Sequence, residues 1–411
     1  MAFTGTANTV TSLNALFKES YAENINYLVP DGVRFYKMID FIKHEKRPGA
    51  LYHQPVSLTL EHGFTYGGAN GGVFALNDAA AGVMQDATIQ GHEMVLRSAI
   101  GVGAVSRSLN SATSFEKATK YLVANMLRSF SRRLEVQMLY GKSGISKIKT
   151  STTGAVLELK PSDFASGIWS GAEGMEIDLP AGTRKVVSVD FDAFTVTVDS
   201  AIVVTAEDDV YYKAAQANEF AGIESIIRNS GVLFGINAST YNLWKGRVLD
   251  NGGVKRDISF ELITSAVTKL IEKGLVDRRA SVCINPSQFD VLLADLAAKR
   301  TFDQSYKTEE QKEGSKSIKF YSQNGEIEVV PSIYVKQGHA FVLCMEEFMR
   351  VGSRDITFDM PGYEGQFFRL LNDSNGYELR AYTDQALFCS APGLQALITD
   401  LASPGDPVTV I

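Results

Sequence analysis

Hydrophobic positions along this chain change period several times, and each change marks a different kind of element. The first 43 residues carry Leu13, Leu16, Phe17 and Tyr21 at helical spacing, and Pro30, Asp31 and Gly32 then mark a turn. This predicts a short helix followed by an extended arm. The segment has too few apolar residues to fold alone, so it should lie against something else.

From 46 to 107 the period falls to two. Val56, Leu58 and Leu60 alternate with Ser57, Thr59 and Glu61, glycines follow at 67, 68, 71 and 72, and Met94, Leu96, Ala99, Ile100, Val102 and Val105 resume a strand-like pattern. The expected object is a long two-stranded arm with a Gly-rich tip. A lone two-stranded ribbon is marginally stable in water, so its resting place should be another molecule's surface.

Thr113 and Glu116 then have the spacing of a capping box, and Gly141 supplies a stop. Between them Ala118, Leu122, Met126, Phe130, Leu134 and Met138 form a stripe at every fourth position. The predicted helix of about 27 residues would run roughly 40 Å, long enough to serve as a strut. Arg132, Arg133 and Glu135 are expected to decorate its opposite, solvated side.

Short alternating strands take over between 151 and 213: 156–159, 175–179, 186–191, 194–198 and 210–212, with Asp192 and Ala193 as a hairpin turn. A small inserted β domain is expected. Beyond it, helices and strands mix. Ser259 can cap a helix through Leu262, Ile263, Ala266, Val267, Leu270 and Ile271 that stops at Gly274, and Asn285 with Pro286 starts another through Phe289, Leu292 and Leu293. Strands are predicted at 281–284, 318–321, 327–330, 340–345 and 377–389, with a charged loop at 303–317. The fold class is therefore α+β, its last half a layered α/β structure.

Composition narrows the function classes. At 411 residues and 45% hydrophobic content, the chain can bury a large core divided into two or three units. A net charge of -7 argues against a nucleic-acid binder recruited by its overall field. The N-terminus lacks the basic start and apolar run of a secretory signal, and no stretch suffices for a membrane span, so synthesis in a cytosol is expected. Cys283, Cys344 and Cys389 sit inside apolar runs without metal or redox spacing and read as buried hydrophobes.

Traces of catalysis fail one by one. Gly141, Lys142 and Ser143 resemble the end of a phosphate loop, but Val136 stands where the earlier Gly is required. His92 and Glu93 are followed by Leu96 where a zinc helix would place its second His. Glu207, Asp208 and Asp209 lack the spaced ligands of a calcium loop and read as a solvated turn. Glu346 and Glu347, adjacent in sequence, would point to opposite sides of a strand and cannot act as a carboxylate pair from there. No enzyme and no cofactor or metal site is expected.

The order of arm, extended β loop, long helix and mixed α/β region resembles that of the major capsid proteins of tailed bacteriophages, the Hong Kong 97 type. Local sequence is similar too: the helix end from Arg132 to Gly141, the Gly231 to Ile236 segment with Tyr241 and Trp244, the block from Gly274 to Pro286 followed by Phe289 to Leu293, and Phe320 and Tyr321 with Asn324 and Gly325. The resemblance implies an N-terminal arm (1–45), an extended loop (46–107), a spine helix with peripheral domain (108–150), the inserted β domain (151–213) and an axial domain whose strands return to the peripheral domain (214–411).

It also implies a virion shell subunit, made in the cytoplasm of a host bacterium, that closes into pentamers and hexamers around double-stranded DNA. Implied partners are sister copies, a portal, a separate scaffolding protein (no built-in helical scaffold precedes the arm) and a possible decoration protein. No membrane partner is implied. Phe64, Tyr66, Val73, Phe74 and Leu76 near the loop tip, and Leu13, Leu16, Phe17 and Tyr21 of the arm, are the expected intersubunit contacts. The Arg132–Arg133 and Arg278–Arg279 pairs are element ends and candidates for facing packaged DNA. Some relatives lock their shells with a Lys–Asn bond between subunits. The loop offers Asn70 and Asn77 but no Lys between 47 and 107, so non-covalent closure is expected. The alternatives are a nanocompartment shell of the encapsulin kind, expected to be shorter and without the insertion, or an unrelated enzyme or tail protein.

Overall fold

The computed structural model describes residues 32–43, 51–104, 118–276, 278–294, 318–323, 325–359, 367–371 and 375–403. Leu13, Leu16, Phe17 and Tyr21, the proposed capping box at 113–116 and the charged loop at 303–317 lie outside them.

The long helix, α2 (Ala118–Tyr140), is the organising element. Met126, Phe130, Leu134 and Met138 are buried, so the expected stripe is the core-facing one. Against it packs a five-stranded sheet of β1 (Phe41–Lys43), β18 (Phe348–Thr357), β20 (Gly376–Cys389), β19 (Phe368–Leu370) and β4 (His92–Gly101). The long central β20 pairs with β4 over ten residues on one side and with β18 and β19 on the other, while β1 runs parallel to β18.

Two expectations about this region need correction. The return strand of the extended loop is β3 (Met84–Gln90), which pairs in full register with β2 (Leu51–Ser57). The stronger apolar pattern that begins at Met94 belongs to β4, which leaves the ribbon after Gly91 to join β20. β3 was hard to read because Gln85 and Asp86 dilute its alternation, although Ala87 and Ile89 are buried. Leu58 and Leu60 lie beyond the end of β2 rather than in it.

The second correction concerns the helix face expected to be solvated. Glu135 is buried and binds the backbone of the one-turn helix α1 (Phe35–Met38). Arg132 donates to the Tyr334 hydroxyl and to the carbonyls of Gly167 and Ser170, and the Arg133 guanidinium lies 3.3 Å from the centroid of the Tyr212 ring. All three side chains are consumed by tertiary contacts from elements distant in sequence.

Residues 146–212 form a six-stranded unit in the order β5 (Ser146–Lys147), β10 (Asp209–Tyr212), β7 (Glu176–Leu179), β8 (Gly182–Asp190), β9 (Thr195–Val204), β6 (Thr152–Glu158). The two ends of that order meet. Ile148 and Leu159 form an antiparallel bridge, the Lys149 N–H donates to the Glu158 carbonyl and the Lys160 N–H to the Lys147 carbonyl, both at 2.8 Å. These contacts close the sheet into a small barrel. The hairpin at 191–194 forms because Asp190 Oδ1 accepts the N–H groups of Asp192 and Ala193, letting Phe194 adopt a φ of 53°.

After the barrel come the short helix α3 (Ile223–Arg228) and a two-stranded turn, β11 (Val232–Leu233) and β12 (Ile236–Asn237). The rest builds a second six-stranded sheet: β13 (Arg247–Leu249), β21 (Ala396–Ile398), β17 (Ala340–Leu343), β14 (Ala280–Ile284), β16 (Gly325–Pro331) and β15 (Ile318–Ser322). Helices α4 (Phe260–Ile271) and α5 (Pro286–Ala294) bury Ile263, Val267, Leu270, Phe289 and Leu292 in a core shared with this sheet. Ser259 Oγ accepts the Leu262 N–H and Asn285 Oδ1 the Ser287 N–H, so both expected caps are made. Glu346 and Glu347 fall in a 3-10 turn (Met345–Glu347), not on a strand.

Candidate intersubunit surface and a buried charged junction

The extended loop is anchored at its base. Tyr52 meets the Phe388 ring edge-on at 5.8 Å, and the Thr88 N–H donates to the Phe234 carbonyl. Beyond the ribbon, residues 58–83 continue outward without a ladder but with cross-connections. The Leu58 N–H donates to the Val83 carbonyl, His62 N–H to Ala80, Asn77 Nδ2 to the Phe64 carbonyl, and the Asn77 N–H to Thr65 Oγ1. These bonds give the loop a defined shape although it has no core of its own.

Its apolar side chains point into solvent. Phe64, Tyr66 and Leu76 are 68%, 90% and 80% exposed, and Val73 is fully so. Phe74 is half-exposed because its ring covers Gly67, where an added Cβ would fall 2.6 Å from a ring carbon. Gly71 takes the left-handed φ of 64° at the tip. Five large apolar residues held outward within thirteen positions are an exposed patch that water disfavours.

The second unusual feature is internal. Where the end of α2, the barrel, α3 and the loop between β16 and β17 converge, Lys336 is 2% exposed. Its Nζ lies 3.1 Å from the Gly144 carbonyl, 3.6 Å from Glu224 Oε2, 3.7 Å from Asp163 Oδ1 and 4.4 Å from the centroid of the Tyr140 ring. The Tyr140 hydroxyl accepts the Lys336 N–H at 2.8 Å. Arg228 Nε holds Glu224 Oε1 at 2.8 Å, and His339 Nδ1 is 3.9 Å from the same oxygen.

Burial pushes the Asp163 and Glu224 carboxyls up, yet the nearby cations, Lys336 first, outweigh it and hold both below their ordinary values. Burial pushes the His339 imidazole down and raises the Tyr140 hydroxyl well above the phenolic range. The junction therefore holds two carboxylates and two cations around a neutral imidazole. No periodicity announces it, since its members come from four separate segments.

Of the Arg pairs, Arg132 and Arg133 are engaged as described, and Arg278 pairs with Glu347. The acidic run at 207–209 is divided among local partners: Glu207 binds Lys160, Asp208 accepts the Thr205 N–H and Asp209 binds Lys147. Among the described residues no group of three or more His, Cys, Asp or Glu side chains is placed to hold a metal ion, and no helix is long and apolar enough to cross a membrane.

No family model and no curated protein sequence matches the chain. Solved structures do. The Cyanophage A-1(L) capsid asymmetric unit superposes with a TM-score of 0.57 at 12% identity, covering 96% of this chain and 99% of that one. The capsid of the empty GTA particle gives 0.55 at 10% identity, covering 97% and 100%. The chain has the Hong Kong 97-type capsid fold. A Mycobacterium phage Bobi structure agrees, with a TM-score of 0.52, 11% identity and 97% and 100% coverage. The fold expectation from sequence is met with almost no sequence identity behind it.

Proposed function

We propose that this protein is the major capsid protein of a tailed bacteriophage, building an icosahedral shell from pentamers and hexamers around double-stranded DNA. The observation that carries the reading is the near-complete mutual coverage with capsid chains, which leaves no large part of this chain outside the shared fold. The outward apolar loop supplies what that role needs: a surface the subunit cannot cover itself.

In this reading Phe64, Tyr66, Val73, Phe74 and Leu76 pack on a neighbouring subunit, and Leu13, Leu16, Phe17 and Tyr21 of the arm add a second contact. Head-to-tail interfaces of this kind close into rings. Each contact can be modest, because every added copy binds through surfaces already held close by the others. The assembled subunit divides at about residues 45, 107, 150 and 213 into arm, extended loop, spine helix with peripheral domain, barrel insertion and axial domain. The virion shell is its location and the host bacterial cytoplasm its place of synthesis. A separate scaffolding protein, a portal and non-specific contact with the packaged DNA complete the partners, with a decoration protein as a further one. The role is structural, with no turnover chemistry.

Electron cryomicroscopy of the expressed protein, with and without a scaffold, tests this. Rings, tubes or polyhedra are expected. A compact monomer at every concentration would overturn it. Deleting residues 66–82 is expected to abolish closed shells while leaving a folded subunit, and normal shells from that variant would remove the loop from the mechanism.

A further inference from the structure

The buried junction has the composition of a self-made covalent crosslink. We propose that Lys336 and Asp163 condense into an intramolecular amide bond, with Glu224 carrying the protons.

Three features support it. Lys336 Nζ stands 3.7 Å from Asp163 Oδ1, between the Tyr140 ring and the Gly144 carbonyl, with side chains only 2% and 11% exposed. Asp163 Oδ2 is held by Ser162 Oγ at 3.2 Å, which leaves Oδ1 turned toward the amine. Glu224 is anchored through Oε1 by Arg228, while its Oε2 has no hydrogen-bond partner and lies 3.6 Å from the same Nζ. An unpartnered carboxylate oxygen buried beside an ammonium group is positioned to take its proton.

The step balances without any co-reactant. Glu224 Oε2 accepts a proton from the Lys336 ammonium and passes it to Asp163, giving a neutral amine beside a neutral carboxylic acid. The Nζ lone pair then attacks Cγ of Asp163. The nitrogen's second proton moves through Glu224 to the departing Oδ, the Cγ–Oδ bond breaks and one water leaves. Glu224 ends as it began.

Burial supplies the driving force. Condensation removes two buried charges together with the desolvation cost they carry, since an amide is uncharged. Fixed neighbours of this kind also react as though at roughly 10⁵–10⁸ M. The bond would tie the short turn at 161–163, beside the barrel, to the loop between β16 and β17, closing a loop of chain that contains α3, α4, β14 and α5. It lies within one chain, unlike a Lys–Asn lock between subunits, and does not depend on assembly.

The test is the mass of the full-length wild-type protein under denaturing conditions, followed by a protease digest. A chain lighter by one water, with a branched peptide joining the Asp163 and Lys336 segments, is the expected result. Linear Asp163 and Lys336 peptides alone, in fully folded protein, would overturn the bond and leave an ordinary buried ion pair. Glu224→Gln is expected to lose the branched peptide while retaining the native circular dichroism spectrum. A branched peptide formed as fast in that variant would remove Glu224 from the step, and Lys336→Arg provides the unbonded reference.

Discussion

Glu135 and Phe35 are separated by 100 residues, and the carboxylate of the first accepts the backbone N–H of the second at 3.0 Å. The same carboxylate accepts the N–H groups of Arg34 at 2.9 Å and Tyr36 at 2.8 Å. Those are the orphan donors of α1, so a side chain on α2 caps a helix that lies 100 residues earlier in the chain. This fixes α1 against α2.

Glu135→Ala strands all three donors in a buried site. A loss on the order of 3 kcal/mol is expected in urea unfolding of the purified protein, and Glu135→Gln, which keeps one acceptor oxygen, should lose less. A change below about 0.5 kcal/mol would mean that the donors find other partners.

Gly222 touches the end of α2. Its N–H donates to the Gly141 carbonyl at 2.9 Å, and a Cβ there would fall 2.5 Å from the Gly141 nitrogen and 2.8 Å from the Gln137 carbonyl oxygen. Gly222→Ala must push α2 and α3 apart, at about 1–3 kcal/mol, read as a lowered melting temperature. Gly68→Ala, at the open loop tip with no heavy atom within 4 Å, is the control expected to leave stability unchanged.

Acid should loosen the junction. His339 is buried and held below the ordinary imidazole value by that burial, against the opposing pull of Glu224 and Asp163. The unfolded chain therefore takes up a proton near pH 6.5 or so, roughly the free imidazole value, that the folded chain refuses. The His339 contribution is present above that pH and is lost as pH falls toward the folded value. Glu224, also held low, carries the loss to more acidic pH. Urea midpoints are expected to fall below about pH 6.5, and His339→Gln should flatten the slope in the first of these ranges. An unchanged slope would assign the acid sensitivity elsewhere.

The three cysteines should be inert in the folded protein. Burial pushes the Cys283 thiol up to about 12 and Cys344 up to about 11, and raises Cys389 further. A thiol reagent is expected to label none of them at neutral pH until denaturant is added, because the reactive thiolate is suppressed. Rapid labelling of native protein would show a local opening at the labelled strand.

Legibility in the sequence follows how local each signal is. The helix after Ser259 and the one after Asn285 were readable because cap, stripe and stop lie within one short window, and the hairpin at Asp192 because its two strands alternate on either side of it. The five loop residues could be named because apolar side chains beside glycines have nowhere nearby to go. Glu135 was misread because charge on a helix face normally means solvent, and its partners are backbone groups at residues 34–36 that leave no mark near residue 135. β18 was missed for a related reason. Arg350 interrupts its apolar pattern, and only the fold supplies the Ile39 carbonyl, Asp355 and Gln385 that satisfy the guanidinium. The junction around Lys336 was invisible because each member alone reads as an ordinary surface charge.

The pairing of β4 with β20 sets a clock on biosynthesis. Residues 92–101 leave the ribosome long before residues 376–385, their partners, have been made, and β1 waits in the same way for β18. At about 5–20 residues per second the interval is on the order of tens of seconds. During it the sheet beneath α2 cannot close, so the core shared by that helix and the sheet stays open. A chain released early is therefore left with an open sheet, and the fold can be completed only when translation is nearly over.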